Sequence, residues 1–134
     1  MTTDDELDVH LSTAHSRLED AKDVLAIGKY HAAVSMSYYA AFHAAKSILI
    51  KLGEETMTHH GTNARFHYRA VHKSDFPTPA ARYLEELRLK REDADYEADL
   101  GLMWDHSAAM EAIGKAERFV IETDAWFGRR RSSD

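Results

Sequence analysis

The chain is predicted to fold as an all-α, up-and-down bundle of four to five helices. Three observations carry that expectation. Apolar residues recur at three- and four-residue steps along most of its 134 residues. No stretch alternates with the period of two that marks a strand. The helix breakers fall between the periodic segments, at Gly28, Gly53 and Pro79. There is no solenoid repeat and no linker, so residues 1–134 read as a single domain with one core.

The elements follow in order. Thr3-Asp4-Asp5-Glu6 is a capping box, and Leu7, Leu11, Ala14, Leu18, Ala21 and Leu25 form the seam of a first helix ending at Gly28. After a short turn comes the central helix, Tyr30 to Leu52, free of Gly and Pro. One stripe on it runs through Tyr30, Val34, Tyr38, Ala41, Phe42, Ala45, Leu49 and Leu52. A second runs through Ala32, Met36, Tyr39, His43, Lys46 and Ile50. Two such faces predict a helix buried once in the core and once more, in the core or against a partner.

Gly53 closes it, and Glu54 to Gly61 is expected to be a loop. A third helix should cover Thr62 to His72, with Phe66, Ala70 and Val71 as contacts. Thr78-Pro79 reads as cap and first turn of a fourth, reaching about Asp93 and burying Tyr83 or Leu84, then Leu87. Asp95 to Gly101 is expected to be irregular. The last helix should begin near Asp105 or Ser107, with Ala109, Ile113, Ala116, Val120 and Phe127 inward, and residues 128–134 read as a frayed polar tail.

Composition narrows the chemistry. There is no cysteine, so disulfides, thiolate metal sites and a cysteine nucleophile are excluded. The acidic start lacks an apolar run, so no signal peptide is expected, and no segment approaches the length needed to span a bilayer. A cytoplasmic protein without membrane contact is the expectation. The net charge of −6 argues against wholesale coating of nucleic acid but leaves room for a small basic site. Nine histidines are a high count, although a solvated helix residue is the ordinary state of most.

Three stretches carry a resemblance. They are Ala33-Val34-Ser35-Met36-Ser37-Tyr38-Tyr39-Ala40-Ala41-Phe42-His43-Ala44-Ala45, then Thr58-His59-His60-Gly61 with Phe66, then Arg91-Glu92-Asp93-Ala94-Asp95-Tyr96. In this order and spacing the chain resembles the small stand-alone prokaryotic HEPN proteins (higher eukaryotes and prokaryotes nucleotide-binding), from about Leu18 to Val120. The resemblance implies a helical bundle, a homodimer, and in many members a metal-independent ribonuclease. Those enzymes are often toxins paired with a minimal nucleotidyltransferase antitoxin. It implies a motif of arginine and histidine on one helix, and no cofactor.

That chemistry has clear needs. The ribose 2′-hydroxyl must lose a proton, the leaving oxygen must gain one, and positive charge must meet the phosphate. Here His43 stands at the histidine position and serves as acid or base, with Tyr39 beside it. Seven residues upstream, at the arginine position, stands Met36, which offers no charge. Other cations could contact substrate: Arg91 and Arg88 foremost, then Lys46, with Arg65 and Arg69 less favoured. His59 fits the rim of such a site.

The plainer readings stand beside these. His43 could be a hydrogen-bonded interface histidine, Arg91 a structural partner of Asp95, and both tyrosines core aromatics. No metal site is expected: His67 and His72 are five apart, and His59-His60 lacks a carboxylate at a telling distance. Arg129 to Arg131 reads as a solvated tail. The expected function is therefore a HEPN protein resembling endoribonuclease toxins or defence proteins, with a degenerate motif. The alternative is a non-catalytic HEPN module that binds a nucleotide, an RNA or a nucleotidyltransferase.

Overall fold

A computed structural model describes residues 3–55, 58–99 and 104–132. Among these residues five α-helices follow one another: α1 (Thr3–Ala26), α2 (Tyr30–Lys51), α3 (His59–Phe66), α4 (Thr78–Asp99) and α5 (His106–Ser132). A π-helical turn, His67–His72, continues α3. No strand occurs among the described residues, as the all-α reading requires.

α2 is the hub, packing against α1, α3, α4 and α5. Its first expected stripe is inside: Val34, Tyr38, Ala41, Ala45 and Leu49 are fully buried, and Tyr30, Phe42 and Leu52 pack at the edge. Residues outside that stripe are buried too, namely Ala33, Ser37, Ala40, Ala44, Ser47 and Ile48. Alanine and serine let neighbouring backbones approach closely. Both hydroxyls are satisfied within the helix, Ser37 Oγ donating to the Ala33 carbonyl (2.8 Å) and Ser47 Oγ to the Ala44 carbonyl (2.6 Å). The second stripe is mostly half-buried, and α1 and α4 of the same chain lie over parts of it.

The turn between α1 and α2 is short because Gly28 adopts φ 79° and ends α1 with a Schellman closure. The Gly28 N–H donates to the Leu25 carbonyl (3.0 Å) and the Lys29 N–H to Val24 (2.9 Å). Gly53 repeats the device at the end of α2, also at φ 79°. Three helices depart from the sequence reading. α3 begins at His59 inside the expected loop. Thr58 is extended, and its Oγ1 accepts the Gly61 N–H at 2.9 Å. A Cβ on residue 61 would lie 2.9 Å from that oxygen, so glycine makes room for the cap.

α4 runs on to Asp99, so residues 95–99 are helical rather than irregular. Ala94 is buried there, and Asp95 is anchored to α2 and to Arg91. Residues 100 and 101 lie outside the described residues. α5 likewise continues through Gly128 to Ser132, where a polar tail was expected. Arg129 and Arg130 reach back to Asp75, and the Arg130 guanidinium lies 3.5 Å over the Trp126 ring. These ion pairs tie the last turn of α5 to Asp75, and residues 133 and 134 lie outside the described residues. At the start of α5, Asp105 Oδ1 caps the Ala108 N–H at 2.7 Å.

Candidate functional site

His31, Ser35, Tyr39 and His43 follow at four-residue steps, so they form one row along α2. Side chains from three other helices meet this row and its neighbours. From α4, Asp95 accepts from His31 Nε2 (2.9 Å) and, at 3.5 Å, from Ser35 Oγ. Arg91, one turn earlier, faces Asp95 at 3.6 Å and donates to the Tyr39 hydroxyl at 3.3 Å. Its guanidinium lies over the rings of Tyr38 (5.1 Å) and Tyr39 (5.7 Å). Arg91 Nε is buried with no hydrogen-bond partner.

From α3, His59 stacks on Phe42 with ring centroids 4.1 Å apart. Its Nδ1 lies 2.8 Å from the Tyr38 hydroxyl, which donates when that nitrogen is bare. From α1, His10 stacks on His43 at 5.2 Å, and the two Nδ1 atoms approach to 2.9 Å. One imidazole must donate and the other accept, so the pair cannot be doubly charged. α1 also supplies Arg17, whose Nη1 meets Asp20 at 3.2 Å while its Nε is buried without a partner.

The electrostatics follow from this crowding. Burial pushes the His43 imidazole down to about 4, and the charges of His10, Arg17 and His59 push the same way. His10 is lowered by burial and then by Lys46, and His59 by burial, Arg91 and Lys46. Burial raises the Tyr38 phenol to about 12, so it stays a neutral donor. All three histidines are thus uncharged at neutral pH in a setting rich in Arg and Lys. Positive charge is thus concentrated beside imidazoles able to accept protons. Among the described residues no three His, Asp or Glu side chains gather as a metal site would need.

A model of the HEPN domain matches residues 7–125. The chain belongs to the HEPN family. It is similar to a UPF0332 protein of Archaeoglobus fulgidus, 41% identical over 58 residues, which are 43% of this chain and 46% of that one. It is also similar to a UPF0332 protein of Pyrococcus horikoshii, 30% identical over 88 residues, which are 66% of this chain and 62% of that one. The chain thus spans about half the length of the first relative and about three fifths of the second.

Within this HEPN bundle, the sequence reading and the geometry meet at four residues. His43 and Tyr39 on α2, His59 on α3 and Arg91 on α4 share one neighbourhood. Arg88 is placed differently. Glu85 and Glu92 bind it at 2.5 and 2.7 Å, and the Glu85 hydrogen bonds are the main reason its guanidinium is held even more firmly charged. Arg65 and Arg69 both bind Glu54, and Arg69 also donates to the Leu52 carbonyl, so these two pin α3 and its π-helical extension to the end of α2. Met36 packs half-buried at the edge of the core.

His10, Arg17 and His31 were missed from sequence. The four-residue row from His31 to His43 was available as a signal. Nothing within α1 alone says which of its polar residues face α2.

Proposed function

We propose that this HEPN protein binds RNA phosphate at the seam between α2 and helices α1, α3 and α4, and cleaves the chain there without a metal. The observation that carries the reading is the neutral His10–His43 pair, 2.9 Å apart, in a neighbourhood furnished with cations. Neutral His43 can take the proton from a ribose 2′-hydroxyl. The 2′-oxygen then attacks phosphorus, the bond to the 5′-oxygen breaks, and that oxygen takes a proton from the His10–His43 pair, which the first step left with one in excess, as a 2′,3′-cyclic phosphate is left behind. Arg91, steadied by Tyr39 and Asp95, would meet the charge that builds on the phosphate. His59 would stand at the rim with its remaining ring nitrogen toward substrate. The reading takes the chain as half of a homodimer and as a partner for a small nucleotidyltransferase, in the manner of a toxin and its antitoxin.

A second reading, favoured by the uncharged Met36, keeps the binding and drops the cleavage. One assay separates the two. Metal-free protein is incubated with labelled single-stranded RNA, alongside His43→Ala and Met36→Arg. Cleavage that falls at least about a hundredfold in His43→Ala supports the enzyme. Binding without cleavage, with cleavage gained in Met36→Arg, supports the binding module. Neither binding nor cleavage by the unmodified protein refutes both.

A further inference from the structure

The geometry points to Arg17 of α1 as the phosphate-binding cation of this site, placed across from the α2 position where Met36 stands. The assignment rests on the phosphate-binding reading above and goes beyond it by naming a residue on a different helix.

The argument begins with register. α1 and α2 are joined by a short turn and run antiparallel, and His10 meets His43 across their seam. Moving seven residues forward along α1 from His10 reaches Arg17, and moving seven back along α2 from His43 reaches Met36. Seven residues are about two turns and about 10 Å on either helix, so each step returns to the same face. The antiparallel pairing therefore sets Arg17 opposite Met36. A cation missing from one wall of the seam is present on the other.

Two further observations agree. Arg17's charge reaches His43, where it is one of the influences that keep the imidazole neutral. Arg17 is also open to a ligand, since its Nη1 faces Asp20 while its side chain keeps 39% of its surface exposed. Of the other arginines near the row, Arg88 is taken up by two glutamates, while Arg91, whose Nε is likewise unbonded, sits between Tyr39, Asp95 and two aromatic faces. A guanidinium can give one edge to a carboxylate and still offer N–H groups to a phosphate. Met36 opposite then works as an apolar wall that leaves room for the arginine from α1.

The test is a charge exchange between the two helices, using the full chain and a labelled single-stranded RNA. Arg17→Met should weaken binding about tenfold and lower the salt dependence by roughly 0.7 in log–log slope, the loss of one phosphate contact. Adding Met36→Arg to Arg17→Met should restore both, because the charge returns to the same place from the other wall. NMR titration supplies a readout that needs no RNA: Arg17→Met should raise the His43 pKa. If the unmodified protein binds RNA and Arg17→Met binds equally well, the assignment is wrong and the site reading stands. If the double variant stays as weak as Arg17→Met, the opposition of the two positions is wrong, and the assignment falls. If the unmodified protein binds no RNA, the reading and the assignment fall together.

Discussion

Two corners of this molecule use the same side chains to opposite ends. Where α5 ends, Asp75 receives Arg129 at 2.8 Å and Arg130 at 2.5 Å, Ser74 Oγ accepts from Arg130 and from Trp126 Nε1, and the Arg130 guanidinium stacks on Trp126. The cations have a carboxylate, and the carboxyl is held down to about 2 by Arg130 and Arg129 against the opposing pull of burial. At the α2 seam the ingredients are again arginine, aromatic rings and an aspartate, but two arginine Nε atoms are buried and unbonded and three histidines are kept neutral. Cation density is therefore a poor guide to a binding site. What separates the two corners is hydrogen-bonding capacity left unspent at the seam.

The contrast can be broken at either corner. The largest effect is expected from Trp126→Ala. Trp126 is fully buried, and its loss should cost about 3–5 kcal/mol of stability, read by urea unfolding. RNA binding by the fraction still folded should be unchanged. A parallel loss of affinity in the milder Trp126→Phe would show that the two corners are coupled.

The next effect is on acid stability and separates the corners by pH. His43 has its ordinary value near 6.5 in the unfolded chain and about 4 in the folded one. Between those values the unfolded chain holds the proton, so stability is full above the higher pH and falls on the way to the lower, by on the order of 2 kcal/mol. His10 and His59, also lowered, act in the same sense. Asp75, lowered from 3.8 to about 2, should add a separate loss between those two values. Thermal melts from pH 7.5 to 2 should show both windows, and His43→Gln should shrink only the first. A single loss confined below pH 4 would contradict the neutral-histidine description.

The smallest effect is expected from Tyr39→Phe, which removes the 3.3 Å bond from Arg91 but keeps the ring beneath it. Stability should change by no more than about 1 kcal/mol, and RNA affinity by a few-fold, read by melting and filter binding. A loss as large as that of His43→Ala would place Tyr39 in direct contact with the reacting groups.

The bundle was legible because helix periodicity and glycine punctuation are local signals. Gly28 and Gly53 mark the ends of α1 and α2 through their own backbone geometry, and the seams of α1 and α5 contain many of the residues found buried. The errors lie where distant partners decide. Residues 95–99 look irregular until His31 and Arg91 are seen to hold Asp95, and residues 128–132 look frayed until Asp75 is seen beside them. The start of α3 was hidden by a glycine that exists to admit the Thr58 cap. His43, Tyr39, His59 and Arg91 came from a family pattern. His10 and Arg17 needed the antiparallel register, which no single helix contains.

The neutrality of the three histidines has a consequence for any anion that enters the seam. A phosphate beside His10, His43 and His59 favours their charged forms, so their affinity for protons rises as it arrives. Linkage makes the relation mutual. An anion bound there would therefore bring a tendency toward proton uptake with it. Mild acidification would then favour such a ligand while it loosens the fold, so the seam and the bundle around it would answer a falling pH in opposite directions.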